Sequence, residues 1–134
     1  MTRILQIGAG GTGSWFARTL MHNIAELRRS GKLRGAFRWD IWDPDVIEPR
    51  NLVRQPFYNG VDKNKADYTK NMITDFFRYH NVGCVLESHD QLFNSFELLD
   101  KALEIKEPYF LVCCVDNTFT RDRIQTSIVR NHKE

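Results

Sequence analysis

A glycine-rich turn near the start of the chain, between a β-prone segment and a helical pattern, constrains the fold most. Residues 3–7 are rich in branched apolar side chains, which favour a strand. The turn follows at once, with glycines at Gly8, Gly10, Gly11 and Gly13. Apolar residues then recur at three- and four-residue intervals as far as Leu27, which predicts a helix. A G-x-G-x-x-G turn in this context predicts a phosphate site at the helix N-terminus; the alternative is a glycine turn without a ligand.

Length and charge set broad limits on the class of protein. The 134 residues have the size of one domain, and we expect a single domain over residues 1–134. The net charge of +2 argues against nucleic acid or a membrane as the main partner. No apolar run approaches the roughly 18 residues of a membrane span. The first strand follows Met1 closely, which leaves no room for a signal peptide and predicts a cytoplasmic protein.

The remaining sequence alternates between strand-like and helix-like segments. This alternation predicts an α/β fold with a Rossmann-like, doubly wound, mainly parallel sheet flanked by helices. Such folds usually have more strands, so we expect the N-terminal part of a larger domain, or a domain that a partner completes. The predicted strands after the first are 37–42, 82–87 and 109–115, the last buried on both faces. The predicted helices are 12–29, 63–80, 91–106 and 118–130, and Asp62 is the predicted cap of the second helix. Residues 46–62 are predicted to form a functional loop.

Polar residues collect where three of these strands end. Asp43 and Asp45 follow the second strand, and Asp116 and Asn117 follow the last one. Ligands of such folds bind beyond the carboxyl ends of the strands, where the glycine turn also lies. Carboxylates beside a phosphate site suggest an intervening Mg²⁺, and a nearby arginine, Arg54, suits a polyphosphate. The combination of a glycine turn, an arginine and carboxylates predicts a site for triphosphate chemistry.

Four separated motifs stand out in the sequence: Gly8-x-Gly10-Gly11-x-Gly13-Ser14, Asp43-x-Asp45-x-Ile47-Glu48-x-x-Asn51-Leu52-x-Arg54-Gln55, Lys65-Ala66, and Asp116-Asn117 with Arg121. Together they resemble those of the ThiF/MoeB-type adenylyltransferases, the bacterial relatives of ubiquitin-activating enzymes. The resemblance implies ATP-dependent activation of a C-terminal carboxylate as an acyl-adenylate. The activated partner would be a ubiquitin-like or sulfur-carrier protein or a peptide, and the chain would form a homodimer or pair with a longer relative.

The same resemblance implies a role for each site residue. The catalytic residues would be Arg54, Lys65 and Asp116, with Asp116 as the Mg²⁺ ligand. The ATP phosphates would lie on the turn of Gly8, Gly10, Gly11 and Gly13 and would also contact Asn51, Arg54 and Lys65. The ribose hydroxyls would contact Asp43, and Asn117 would lie beside the nucleotide. A C-x-x-C zinc motif and a later catalytic cysteine are missing from these 134 residues, so thioester transfer is not expected.

Two other functions are compatible with the sequence. An NAD(P)-binding oxidoreductase domain would share the glycine turn, but its acidic residue normally follows after roughly 20 residues, whereas Asp43 lies 30 residues after Gly13. A non-catalytic subunit of a ThiF-type dimer would keep the fold without turnover. Asp116 could also simply cap the last helix.

The sequence also gives expectations for three residue types. The cysteines (Cys84, Cys113, Cys114) are expected to be buried and inert, and the histidines (His22, His80, His89, His132) to lie at the surface or at helix ends. The tryptophans (Trp15, Trp39, Trp42) are expected to lie in the core or an interface.

Overall fold

The computed structural model describes residues 1–93, 109–116 and 118–131, which form a parallel sheet with helices on both faces. The sheet has the strand order β3-β2-β1-β4, with all pairs parallel. This is the 3-2-1-4 order of a Rossmann-like fold, and it confirms the predicted fold class. The strands are β1 (Thr2–Ile7), β2 (Phe37–Trp42), β3 (Val85–His89) and β4 (Tyr109–Cys113).

Three α-helices and one short 3₁₀ helix accompany the strands. The α-helices are α1 (Gly11–Arg29), α2 (Lys65–Tyr79) and α3 (Thr118–Asn131), and the 3₁₀ helix spans Pro49–Val53 within the loop after β2. No helix in the described ranges is both long and apolar enough to cross a membrane. The cap predicted for α2 is wrong. Asn64, not Asp62, caps this helix, because the Asn64 side chain accepts a hydrogen bond from the Asp67 N–H.

The apolar core lies on both faces of the sheet. On one face, α1 and α2 cover side chains of β1 and β2, with Trp39 fully buried among them. On the other face, a smaller cluster joins Leu5 and Trp42 to Ile124 of α3. This two-sided burial is the physical basis of the doubly wound arrangement, and it holds the ends of β1 and β2 in place.

Two strand predictions differ from the structure. β3 begins at Val85 instead of residue 82, because Val82 is buried and its N–H donates to the Phe77 carbonyl at the end of α2. β4 ends at Cys113 and is not buried on both faces, since Phe110 is 65% exposed. β4 is the edge strand of the described sheet, and the described residues therefore cover it incompletely. Of the predicted helix 91–106, residues 91–93 are not helical and the remainder lies outside the described residues.

The cysteines also differ from expectation. Cys113 is exposed, and Cys84 and Cys114 are only partly buried. Burial nevertheless raises the pKa of the Cys84 thiol to about 12 and raises that of Cys114 as well. The expectation of a buried thiol is therefore wrong for Cys113, because it lies on the edge strand.

Candidate functional site

A cavity of about 820 Å³ lies at the carboxyl ends of β1, β2 and β4. It sits where the strand order reverses between β1 and β4, the position at which Rossmann-like folds bind ligands. Its volume is within the range of small-molecule sites. The described residues around it are Ile7, Gly8, Gly10, Gly11, Thr12, Trp15, Trp42, Asp43, Pro44, Asp45, Arg54, Gln55, Lys65, Leu92, Phe93, Cys114, Val115, Asp116 and Thr120.

The glycines of the turn between β1 and α1 have different structural roles. Gly8 has a φ of +100°, and a Cβ there would lie 2.8 Å from the Cys114 carbonyl oxygen. A Cβ at Gly13 would lie 2.1 Å from the Gly8 carbonyl oxygen. A Cβ at Gly10 would meet no protein atom within 4 Å, and Gly10 lines the cavity. The chain therefore needs Gly8 and Gly13 for its own packing, whereas Gly10 leaves space that a ligand can fill.

The start of α1 faces this space without a side-chain cap. Gly10 is the N-cap residue and makes no capping hydrogen bond, and the first turn contains no acidic residue. Gly11 and Thr12, the first two helical residues, line the cavity. Unsatisfied N–H groups and the positive end of the helix dipole favour an anion here.

A buried glutamine in β1 holds the turn together. The Gln6 amide nitrogen donates to the carbonyl oxygens of Gly8 at 3.0 Å and Gly13 at 2.9 Å. The Gln6 amide oxygen accepts from the Trp39 indole N–H at 3.2 Å. Sequence reasoning missed this residue. The signal was a polar side chain between the apolar residues Leu5 and Ile7 of a strand, because such a group is buried only with hydrogen-bond partners.

Asp43 links the end of β2 to the glycine turn. One carboxylate oxygen accepts the Ala9 N–H at 2.7 Å, and the other accepts the Asp45 N–H at 2.9 Å. The carboxylate is buried, which raises its pKa, although these two amide hydrogen bonds act in the opposite direction. Asp43 lines the cavity as predicted, and in addition it fixes the turn.

The loop after β2 adds a cation, Arg54, to the lining of the cavity. The Arg54 carbonyl oxygen accepts the indole N–H of Trp15 at 2.7 Å, which ties the loop to α1. Within the described ranges, the Arg54 guanidinium has no hydrogen-bond or ion-pair partner. The neighbouring Gln55 has a buried side-chain oxygen without a partner there. Both residues line the cavity, and the Arg54 guanidinium remains available to a ligand.

Lys65 provides a second cation from the start of α2. The residue is buried, and its ammonium nitrogen lies 3.8 Å from a carboxylate oxygen of Asp45. Its backbone N–H donates to the Asp45 carbonyl at 2.9 Å, which fixes the first turn of the helix against the end of β2. Because the Asp45 side chain is 67% exposed, this long ion pair leaves Lys65 able to turn to an anion in the cavity.

Asp116 follows β4 on a third side of the cavity. Its carboxylate is exposed, and the described part of the chain gives it no hydrogen-bond partner. Arg121 of α3 donates to the neighbouring Val115 carbonyl at 2.7 Å, so this arginine has a structural contact at the end of β4. Among the described residues, no group of three His, Cys, Asp or Glu side chains forms a metal site. Mg²⁺ commonly binds one or two carboxylates together with substrate phosphates, and Asp116 fits that donor set.

Not every predicted site residue reaches the cavity. The Asn51 side-chain oxygen accepts the Glu48 N–H at 2.8 Å and so caps the 3₁₀ helix; Asn51 does not line the cavity. Gly13 packs beneath the turn. Asn117 lies outside the described residues. The structure thus brings together Gly8, Gly10, Gly11, Asp43, Arg54, Lys65 and Asp116 from the predicted set.

One histidine differs from expectation. His89 ends β3, lies 3.0 Å from the Asp40 carboxylate through Nε2, and stacks on the Trp42 ring at 4.4 Å. It is a partly buried residue of the sheet, because Asp40 offers it an acceptor within the structure. Burial alone would raise the pKa of Asp40, but hydrogen bonds from His89 and Arg38 outweigh it and hold that pKa below its ordinary value.

Of the tryptophans, Trp39 and Trp42 belong to the core, whereas Trp15 is 47% exposed at the cavity.

The fold and the site define a Rossmann-like α/β domain with a polar cavity at the carboxyl ends of its strands. The ThiF family model matches residues 1–134, and the chain belongs to the ThiF family. A comparison with curated protein sequences found no match.

Solved structures share the fold at low sequence identity. The Escherichia coli tRNA N6-threonylcarbamoyladenosine dehydratase TcdA is 23% identical, with a TM-score of 0.70 over 96% of this chain and 48% of that chain. E. coli MccB, solved with ATP, is 21% identical, with a TM-score of 0.60 over 96% of this chain and 33% of that chain. PaaA is 21% identical, with a TM-score of 0.66 over 97% of this chain and 35% of that chain. The chain therefore spans less than half the length of these proteins.

Proposed function

We propose that this chain binds ATP in the cavity and is the nucleotide-binding part of an adenylyltransferase. The substrate is the C-terminal carboxylate of a small ubiquitin-like or sulfur-carrier protein or of a peptide. The observation that carries the proposal is the meeting of an uncapped glycine turn with two cations, Arg54 and Lys65, around one cavity. A ThiF-family chain with this arrangement is suited to a polyphosphate.

The charges around the cavity suit nucleotidyl transfer. Such a reaction needs a positioned phosphate chain and neutralisation of the charge that develops on it. The turn at Gly10 and Gly11 positions the phosphates, while Arg54 and Lys65 supply positive charge to the same cavity. Asp43 keeps the turn in shape through the Ala9 N–H and presents its remaining lone pairs to the ribose hydroxyls.

Asp116 is the residue that would hold Mg²⁺. When bound, the ion neutralises phosphate charge and orients the leaving pyrophosphate. The support is the exposed Asp116 carboxylate on the cavity wall, without a partner among the described side chains. The alternative from the sequence, a cap of α3 by Asp116, would be compatible with this role, since a carboxylate has several lone pairs.

The proposed chemical step needs no side-chain nucleophile. A carboxylate oxygen of the substrate attacks the α-phosphorus of ATP, and a new O–P bond forms. The bond from the α-phosphorus to the bridging oxygen breaks, and pyrophosphate leaves with that electron pair. The products are the acyl-adenylate and pyrophosphate, with Arg54 and Lys65 countering the negative charge that develops on the phosphates.

Two of the solved relatives support this choice of ligand and substrate. E. coli TcdA has been solved with ATP and with AMP. E. coli MccB has been solved with AMPCPP together with MccA. Family membership likewise favours adenylyl transfer over an NAD(P)-dependent oxidoreductase. Dimer formation and a cytoplasmic location remain predictions from the sequence.

Calorimetric titration of the full chain with ATP, with and without Mg²⁺, tests the proposal. The wild type is expected to bind ATP more tightly with Mg²⁺, and Asp116→Ala to lose most of that difference. Asp122→Ala is the matched control, because Asp122 is an exposed carboxylate of α3 that does not line the cavity. Absence of ATP binding in the wild type contradicts the function. Equal Mg²⁺ effects in the two variants contradict the role of Asp116. Pyrophosphate exchange with a candidate carboxylate partner then tests turnover.

A further inference from the structure

An indole N–H connects helix α1 to the loop that carries the arginine of the site. Trp15 lies one turn into α1, and its Nε1 donates to the Arg54 carbonyl oxygen at 2.7 Å across 39 residues of sequence. Trp15 and Arg54 both line the cavity. The contact therefore joins the helix whose N-terminus lines the cavity to the loop residue Arg54, which lines the same cavity.

The backbone of Arg54 has few other restraints. The 3₁₀ helix ends at Val53, and the Arg54 N–H donates to the Asn51 carbonyl at 3.2 Å. The Trp15 indole holds the other side of the residue by its carbonyl. Since no described side chain binds the guanidinium, these two backbone hydrogen bonds determine where the long side chain starts. An arginine fixed at its backbone loses less conformational freedom when it binds an anion.

The environment of Trp15 argues against a purely structural role. The residue is 47% exposed and is absent from both apolar core clusters. An exposed tryptophan at the N-terminal end of a helix contributes little to core packing, whereas its N–H makes one well-defined hydrogen bond. The contact that the structure shows for its polar atom is the one to Arg54.

We propose that Trp15 is a positioning residue that acts through Arg54 on the phosphates of the bound nucleotide. This inference rests on the proposed function, because it assigns Trp15 a role in ATP binding. Removal of the indole N–H leaves Arg54 with its charge but without the hydrogen bond to its carbonyl oxygen. The effect is confined to ligands that carry phosphates, because adenosine offers nothing for Arg54 to bind.

A double-mutant cycle on the full chain tests this proposal. Calorimetry measures the Kd of Mg-ATP and of adenosine for the wild type, Trp15→Phe, Arg54→Ala and the double variant. Trp15→Phe keeps an aromatic ring but removes the donor. Val53→Ala is the matched control, because Val53 adjoins Arg54, is 86% exposed and does not line the cavity.

The expected result is a coupled effect. Trp15→Phe weakens Mg-ATP binding about three- to tenfold, the range for loss of one neutral hydrogen bond, and leaves the adenosine Kd unchanged. In the Arg54→Ala background, the same substitution has no further effect. Val53→Ala binds both ligands like the wild type. The unchanged adenosine Kd also shows that the variant has kept its folded site.

Other results overturn the inference in distinguishable ways. If the losses from Trp15→Phe and Arg54→Ala multiply in the double variant, Trp15 acts independently of Arg54 and the inference fails while ATP binding stands. An equal loss of adenosine and ATP affinity in Trp15→Phe identifies a merely structural role. A wild-type chain that binds no ATP contradicts the proposed function, and this inference with it.

Discussion

The Asp43 carboxylate accepts the backbone N–H of Ala9 at 2.7 Å and thereby joins the end of β2 to the glycine turn after β1. The second oxygen of the same carboxylate accepts the Asp45 N–H. One side chain thus holds two loops of the cavity wall in register. The shape of the phosphate space depends on this residue before any nucleotide is bound.

Asp43→Asn is expected to destabilise the chain by about 1–3 kcal/mol, because the amide nitrogen of asparagine would face one of the two backbone N–H groups. Urea unfolding followed by circular dichroism measures the change. Asp45→Asn is the control, and we expect less than about 1 kcal/mol there, since the Asp45 side chain is 67% exposed and its ion pair is long. Equal effects of the two substitutions would show that Asp43 does not hold the turn.

Substitutions of two glycines in the turn are expected to affect different properties, namely stability for Gly13 and ATP affinity for Gly10. Gly13→Ala places a methyl group against the Gly8 carbonyl and is expected to lower the melting temperature strongly. Gly10→Ala meets no protein atom within 4 Å, so it is expected to fold like the wild type and to lose Mg-ATP affinity at least tenfold. Thermal melts and calorimetry measure the two effects. A Gly10→Ala variant that binds ATP normally would place the phosphates elsewhere.

The Asp40 carboxylate makes stability depend on pH. Its pKa is held below the ordinary value of 3.8, so its contribution is present above that value and is lost as the pH falls through the folded-state pKa. Asp40→Asn is expected to cost about 1–3 kcal/mol at pH 7, and the deficit should shrink below about pH 3.8. Urea unfolding of both proteins from pH 7 to pH 3 measures it. A deficit that stays constant over this range would contradict the assignment.

The cysteines should react with iodoacetamide at different rates in the folded chain. Cys113 is exposed and is expected to be modified first. Burial raises the pKa of the Cys84 thiol to about 12, so very little of it is ionised at pH 8 and its modification should be slowest. Mass spectrometry of timed digests locates the label, and the chain unfolded in urea is the control, where all three should react alike. Preferential labelling of Cys84 in the folded chain would contradict the raised pKa of its thiol.

Much of the fold followed from local patterns. The alternation in Phe37–Trp42 predicted β2 with its observed bounds, because this strand is regular and lies centrally in the sheet. The glycine turn predicted the start of α1 to within one residue. The start of β3 was missed, since Val82 is apolar for a different reason: it packs at the end of α2. Local sequence does not distinguish these two uses of a valine.

The candidate site was predictable in its composition and less so in its contacts. The motifs placed Asp43, Arg54 and Asp116 at strand ends or in the adjoining loop, and the structure brings all three to one cavity. Their partners come from distant segments, such as Trp15 for the Arg54 carbonyl. Sequence spacing carries no information about such contacts. Asn51 shows a different limit, because its side chain makes a local contact with the Glu48 N–H, which caps the 3₁₀ helix, and Asn51 does not line the cavity.

Tryptophan fluorescence gives the most direct test of the central claim, since Trp15 and Trp42 both line the cavity. The full chain is titrated in parallel with Mg-ATP and with NADH, and bound NADH is followed by its own emission. Saturable binding of Mg-ATP with no binding of NADH is the predicted result. Saturable binding of NADH with none of ATP would contradict the adenylyltransferase proposal and favour an oxidoreductase domain.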